Sequence, residues 1–366
     1  MKNGLLVCKG TAPIKNIGDY IQSLASELFF DKIDDYIERE ELAIYDKHEQ
    51  IKLIIHGWFM WKPEMWPPSE NIVPLITSLH IVPEIAEDML ASGGKEYLKQ
   101  FEPIGCRDFG TMEFLQKKGI DAYYSSCLTL VLGERYKSEV KSNKIIFVDP
   151  YFEYIRDSDR RFSVSKFISS LLTIVYSYNK VRHISKNIDI ESELGRFAKY
   201  FKAIDKYLSA AGFYRTYSTF FEDEVLLNSE FIAHTISQKV YNTEESKFNL
   251  AKEYMNKYAQ AKLVVTSRIH CALPCLAVET PVIFVESENL DSSEKAIRSK
   301  GRFGGIKELF RTLSYKACGA LSSTDELILS HKHKFNYIGQ EFNKGEYIKL
   351  KDALIKQCED FVSSNK

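Results

Sequence analysis

The stretch KLVVTSRIHCALPCLAVETPVIFV, residues 262–285, reads as strand, turn, helix, turn, strand. Leu263, Val264 and Val265 form an apolar run, rich in β-branching and too short for a helix. Thr266 and Ser267 are turn and cap formers, and Arg268 and His270 fall where strand gives way to helix. Cys271 to Val278 is mostly apolar and helical in pattern, and Pro281 ends it ahead of the strand Val282 to Val285. Pro274 has no N–H and is tolerated in a first turn, which places the helix start near His270. Open α/β sheets bind anions at the carboxyl ends of parallel strands, beside helix N-termini. An arginine and a histidine two residues apart at such a point read as a site that grips an acid group and moves a proton. A surface arginine and a packed histidine at an ordinary turn form the competing reading, and this stretch alone does not choose between them.

Working outward, the same strand-turn-helix unit recurs. Leu5 to Cys8 is a strand, followed by the loop Lys9 to Asn16 and a helix opened by Gly18 and Asp19, with Ile21, Leu24, Ala25 and Leu28 on its core face. Asn16, Gly18 and Asp19 sit at that turn, either favouring the helix start or facing a ligand. Lys52 to Ile55 is a strand running into His56 and Gly57. The loop that follows, GWFMWKPEMWPP (57–68), holds all three tryptophans, Trp58, Trp61 and Trp66. They suit a packed lid, a sugar face or a lipid headgroup layer. Leu75 to Ile81 is a strand ending near His80, and a histidine so placed is more often a core residue than a ligand. Ile104 to Cys106 leads into Arg107 and Asp108 at another strand end, and Thr111 is read as the cap of a helix closed by Gly119.

Polar residues 136–143 mark a linker, and Lys144 to Asp149 opens a second series of elements. The expected elements there are a helix with a buried face at Phe167 to Tyr178, a strand at Val181 to Ser185 carrying Arg182 and His183, and a helix over about 190–211. A strand at Phe231 to Ile236 carries His234, and a helix spans Thr243 to Ala259. A glycine-bearing turn at Arg302 to Gly305 precedes a helix at Ile306 to Leu313, and an amphipathic tail spans Tyr347 to Phe361. The fold class is therefore α/β: two Rossmann-like domains with mostly parallel strands, facing a central cleft. The boundaries fall at 1–140, 144–340 and a C-terminal helix, 341–366, packing across both.

Composition narrows the function. Lys plus Arg number 49 against 50 for Asp plus Glu in 366 residues, so no basic excess points to nucleic acid. Seven scattered cysteines fit reduced thiols in a cytoplasmic protein, and Cys271 with Cys275 lacks the second pair a zinc cage needs. No metal is therefore expected. The N-terminus carries too short an apolar run for a signal peptide, and no run approaches the ~20 residues of a membrane span. No GxGxxG follows a strand, and no P-loop, HExxH or GxSxG motif occurs.

Four pieces resemble one family in its own order: NIGDYIQSLA (16–25), IGCRD with TMEFLQKKGI (104–120), AYYSSCLTL (122–130) and LVVTSRIHCALPCLAVETPVIFV (263–285). The resemblance is to the polysaccharide pyruvyl transferases. It implies a GT-B-like fold, transfer of a pyruvyl group from phosphoenolpyruvate to sugar hydroxyls, no cofactor beyond that co-substrate, and a donor held by Arg107, Arg268 and His270. A frequent family aspartate is replaced here by Ser126–Cys127.

Residue chemistry runs parallel to the resemblance. Arginine forks pair bidentately with the carboxylate and phosphate of phosphoenolpyruvate, and Ser267 lies beside them in sequence. Ketal formation needs the enol carbon protonated, and a histidine suits that task, so His270 is read as general acid or as phosphate ligand. Asp19 is the candidate to orient or deprotonate the acceptor hydroxyl, with Asn16, Gly18, His56, Trp58 and His80 as further acceptor-side candidates. The expected acceptor is a saccharide, lipid-linked as a repeat-unit precursor of a surface polysaccharide. The expected setting is a bacterial cytoplasm, with peripheral contact at the inner membrane face left open. A GT-B-type glycosyltransferase using a nucleotide sugar is the alternative enzyme, and a glycan-binding scaffold using the tryptophan loop is the non-enzymatic one.

Overall fold

The structure is a computed structural model and describes residues 1–9, 14–155, 162–188, 198–288, 303–316 and 318–364. Residues up to 124 supply β1 (Lys2–Val7), β2 (Ile14–Asn16), β3 (Asp35–Glu38), β4 (Ile51–Phe59), β5 (Ile72–Ile81), β6 (Ile104–Cys106) and β7 (Ala122–Tyr124). Residues 145–322 supply β8 (Ile145–Val148), β9 (Glu230–Ile232), β10 (Thr235–Ser237), β11 (Leu263–Thr266), β12 (Val282–Ser287), β13 (Arg311–Tyr315) and β14 (Leu321–Ser322). The first sheet has the order β3-β1-β4-β5-β6-β7, all parallel. The second has the order β14-β13-β12-β11-β8-β9, parallel except for the β13–β14 pair. Both are six-stranded α/β sheets, in keeping with the GT-B-like class. Near-continuous apolar runs such as LVVT in β11, buried at every position, are what a sheet covered on both faces requires.

Strand order reverses between β1 and β4 in the first sheet and between β8 and β11 in the second. Such reversals open a crevice at the carboxyl ends of the strands. The short β2–β10 ladder, with Asn16 opposite Thr235, ties the first crevice to the second. The Ile17 N–H also donates to the His234 carbonyl at 2.8 Å.

The largest apolar cluster belongs to both halves. It joins Leu5 and Val7 of β1, the Ile17–Glu27 helix, the 3-10 turn Leu128–Leu132 and the Ile269–Ala277 helix. At this seam a Cβ on Gly133 would fall 2.1 Å from the Ala277 carbonyl oxygen, so the two backbones pass closer than any side chain allows. The Tyr347–Ser363 helix closes the same seam. The buried Lys52 ammonium of β4 donates to the carbonyls of Phe361 (3.0 Å) and Val362 (2.8 Å) near its end.

Several local expectations are corrected. Val181 to Ser185 is not a strand but part of the Tyr178–Asn187 helix, since Val181, Ile184, Ser185 and Ile188 are its buried positions, at helical spacing. Ile306 to Leu313 is not a helix. A 3-10 turn at Lys307–Leu309 gives way to β13, where Leu313 and Tyr315 alternate inward. The helix expected at Phe167 to Tyr178 exists as Val164–Tyr176, but the only side chain it fully buries is Ser170. Phe231 to Ile236 is broken into β9 and β10, with His234 between them. Asp108, not Thr111, caps the Phe109–Lys117 helix, its carboxylate accepting from the Thr111 N–H at 2.9 Å. Pro274 sits at the sixth position of the Ile269–Ala277 helix, past the first turn. The described part of the helix expected over 190–211 is Ala198–Tyr217, while residues 189–197 and Arg302 lie outside the described residues.

Candidate functional site

A cleft of about 540 Å³, open solvent included, lies where the carboxyl ends of β6, β8 and β11 meet the start of the Ile17–Glu27 helix. Arg107, Arg268, His270, Ser267 and Asn16 line it, joined by Tyr151, His234, Ile269 and Phe303. Residues 160 positions apart thus face one space.

Arg107 is 1% exposed. Its Nε lies 3.7 Å from the Asp108 carboxylate, too long for a hydrogen bond, and neither Nε nor Nη2 finds a hydrogen-bond partner among the described residues. Asp108 is committed elsewhere, to His80 Nδ1 at 2.6 Å and to the Thr111 N–H. Burial pushes the Asp108 carboxyl upward, but His80, Arg107 and the Thr111 N–H outweigh it and hold the group below the usual carboxylate range. Burial pulls the Arg107 guanidinium down against the opposing pull of Asp108. A buried cation so thinly compensated costs several kcal/mol, roughly, unless an anion completes it. Arg107 is therefore a buried donor array at the cleft and not half of a surface ion pair.

Arg268 is the N-cap residue of the Ile269–Ala277 helix, with no side-chain capping bond. Its Nε donates to the Asp149 carboxylate at 2.7 Å, which turns the Nη edge into the remaining recognition surface. Asp149 ends β8 in a left-handed conformation (φ 41°) and anchors three neighbours. Besides Arg268, it accepts from the His234 N–H at 3.0 Å through its side chain, and from Ser267 Oγ at 2.6 Å through its carbonyl. Ser267 is thus a brace for the turn as well as a lining residue.

His270 Nδ1 meets Gln22 Nε2 at 3.2 Å. With the amide donating, Nδ1 is the acceptor nitrogen and Nε2 carries the proton. Gly18 permits this fit, since a Cβ there would come within 3.0 Å of His270 Cβ and 3.1 Å of its Nδ1. Asn16 caps the Ile17–Glu27 helix by accepting from the Gly18 N–H at 3.0 Å. The helix start is therefore capped by Asn16, and Asp19 is its first-turn acid.

A second recess, of about 250 Å³, lies at the β1–β4 reversal and is lined by Cys8, Asp19, Gln22, Ser23, Arg39 and His56. Gln22 touches His270 and also lines this recess, so the two spaces share a wall. Ser26 Oγ gives its proton to the Ser23 carbonyl, so the 3.1 Å contact with His56 Nε2 is an N–H donated by the ring. His56 Nδ1 is then a buried acceptor without a partner among the described residues, as is Gln22 Oε1. Such groups suit the hydroxyls of a saccharide. Burial, aided by the charge of Arg39, pushes His56 down to about 3, which keeps the ring neutral in the folded protein. Between pH 3 and 6.5 the unfolded chain binds a proton that the folded chain refuses. This residue therefore makes stability fall as pH drops through that window, by up to ~1.4 kcal/mol per pH unit. His56→Asn should flatten the decline of Tm between pH 6.5 and 4, read by thermal denaturation across pH. An unchanged slope would contradict the buried neutral ring.

Two sequence candidates lie apart. His80 lines neither space and serves as the core partner of Asp108. Trp58 lies within β4, which runs on to Phe59, and its ring sits under Arg39 at 4.9 Å and against Trp61 at 4.6 Å. Trp66 is buried edge-on to Phe59 and Tyr97, while Trp61 is 73% exposed. Asp149, Gln22, Arg39 and His234 escaped the reading of site residues from sequence. Asp149 had a signal there, a carboxylate at a strand end followed by proline. Among the described residues no group of three His, Cys, Asp or Glu side chains is placed to hold a metal ion.

A family model described as polysaccharide pyruvyl transferase matches residues 16–289, from the Asn16 cap to just past β12. No curated protein and no solved structure matches the chain.

Proposed function

The chain belongs to the polysaccharide pyruvyl transferase family, and from that premise we propose that phosphoenolpyruvate is its donor and that a ketal forms on a lipid-linked saccharide. The family gives a pyruvyltransferase with a saccharide acceptor. The observation that carries the donor assignment is the buried Arg107 guanidinium, with two nitrogens lacking a hydrogen-bond partner among the described residues, in one cleft with Arg268 and His270. Phosphoenolpyruvate places a carboxylate and a phosphate a few bonds apart. Two arginines lining one cleft answer that charge distribution with planar forks.

In this mechanism His270, charged as the imidazolium, protonates the methylene carbon of the enol from Nε2, leaving C2 as an oxocarbenium-like electrophile. Arg107 and Arg268 hold the carboxylate and phosphate as charge redistributes. A sugar hydroxyl, oriented from the side of the second recess by Asp19 with His56 and Gln22, adds to C2. Phosphate departs with its bonding electron pair, and a second hydroxyl closes the ketal, each hydroxyl losing its proton. Asn16 and Gly18 act by fixing the helix start against His270.

The test is a coupled assay with phosphoenolpyruvate and a saccharide panel, expected to release inorganic phosphate and add a pyruvate ketal to the acceptor by mass. Turnover of a nucleotide sugar, with phosphoenolpyruvate inert, would overturn the reading. A finer expectation concerns Arg268. Its fork uses Nε for Asp149 and the Nη edge for the ligand, a division that lysine cannot make. Arg268→Lys should raise the donor KM about 10- to 100-fold with a smaller loss in kcat. Steady-state kinetics with donor varied would show this, and a wild-type KM would remove the bidentate role.

A further inference from the structure

The Val164–Tyr176 helix is turned inside out. Ser163 caps it by accepting from the Lys166 N–H. Val164, Ile168, Leu171, Leu172 and Val175 recur at helical spacing and share one arc. That arc faces outward: Val164 is 62% exposed, Val175 72% and the neighbouring Tyr176 84%. The opposite side, which meets the body, mixes polar residues with the half-buried Phe167 and Ile174. Ser170 is buried there, and Arg215 of the Ala198–Tyr217 helix donates to Thr173 Oγ1 at 3.2 Å. Only Ile174 reaches the apolar cluster of the second half. Helices of water-exposed surfaces have the reverse arrangement.

The stretch's own charges have one sign. From Phe162 to Ile188 the sequence contains Lys166, Lys180, Arg182 and Lys186 and no aspartate or glutamate. Lys180 is held by Asp223 at 2.6 Å, whereas Arg182 and Lys186 are exposed on the Tyr178–Asn187 helix, which follows Ser177 directly. A helix of 13 residues is too short to span a bilayer, and no helix among the described residues is long and apolar enough to do so. An outward apolar arc with neighbouring cations is instead the pattern of a helix lying in the headgroup layer of an anionic membrane. A second copy fits less well, because a two-fold contact would set this acid-free stretch against its own image.

We propose that the Val164–Tyr176 helix, with Arg182 and Lys186 beside it, docks the protein on an anionic lipid surface. The helix enters the interface by its Val164–Ile168–Leu171–Val175 arc, and the cations meet lipid phosphates. This docking does not depend on which donor the cleft takes, and its test involves no turnover.

Wild-type protein should co-sediment with vesicles containing phosphatidylglycerol. The bound fraction should fall at least severalfold on pure phosphatidylcholine vesicles or in high salt. Leu171→Asp with Val175→Asp should lower phosphatidylglycerol binding about tenfold or more while leaving Tm unchanged, since both side chains are exposed. Arg182→Gln with Lys186→Gln, which leaves the apolar arc intact, should lower it severalfold. Failure of the wild type to sediment with phosphatidylglycerol vesicles, or undiminished binding by the aspartate variant, would overturn the proposal. So would a concentration-dependent dimer in sedimentation velocity that the aspartate variant abolishes, which would assign the face to a second copy.

Discussion

Arg107→Met should abolish donor-dependent turnover and leave the free protein at least as stable as before. These opposite signs follow from the same geometry. The guanidinium is buried, its nearest carboxylate is 3.7 Å away, and two of its nitrogens have no hydrogen-bond partner among the described residues. Replacing a poorly compensated buried cation by an apolar side chain of similar length is neutral or stabilising, by ~1–4 kcal/mol at the upper end. Asp108 is not orphaned by the change, because His80 and the Thr111 N–H still hold it. With donor present the balance reverses, since the ligand anion would lose its most desolvated partner. The expected loss in kcat/KM is about 10³-fold or more, or ~4 kcal/mol. Thermal denaturation with and without phosphoenolpyruvate reads both effects: an equal or higher Tm for the free variant, and no shift on adding donor. A variant that retained donor-dependent stabilisation would show that the anion sits elsewhere.

His270→Asn should lower kcat about 10²- to 10⁴-fold while the donor KM changes by no more than about threefold. The argument rests on the ring. Gln22 holds the imidazole through Nδ1, leaving Nε2 as the nitrogen that delivers a proton once the ring is charged, and asparagine has no such acid form. The pH profile of kcat should lose the limb that reports this acid. A phosphate ligand would behave differently, with KM rising and the limb retained, so the split between kcat and KM separates the two roles left open by the sequence.

How much of this was written in the chain can be judged from individual residues. Residues 262–285 were legible because strand, turn and helix signals are local there and abut one another. Arg107 was legible as a strand-end residue, but its burial was not, since sequence neighbours do not reveal what covers a side chain. Gln22 and His234 were hidden for another reason. Each looks like an ordinary helix or strand residue until the β2–β10 ladder brings it to His270 or Asp149. At Val164–Tyr176 the sequence identified the element but gave it a buried face that the structure leaves exposed, because periodicity does not say which way an apolar arc points. Val181 to Ser185 failed as a strand because five residues are too few to separate a period of 2 from one of 3.6. His80 shows that a strand-end histidine need not serve a ligand. It helps hold Asp108 ionised beside the buried Arg107.

The apolar seam running from β1 through Leu128–Leu132 to the Ile269–Ala277 helix bears on whether either half could stand alone. Glued along that joint, with Gly133 pressed against the Ala277 backbone, the halves share one core. Severing the chain near residue 140 would yield two sticky fragments, not two working modules.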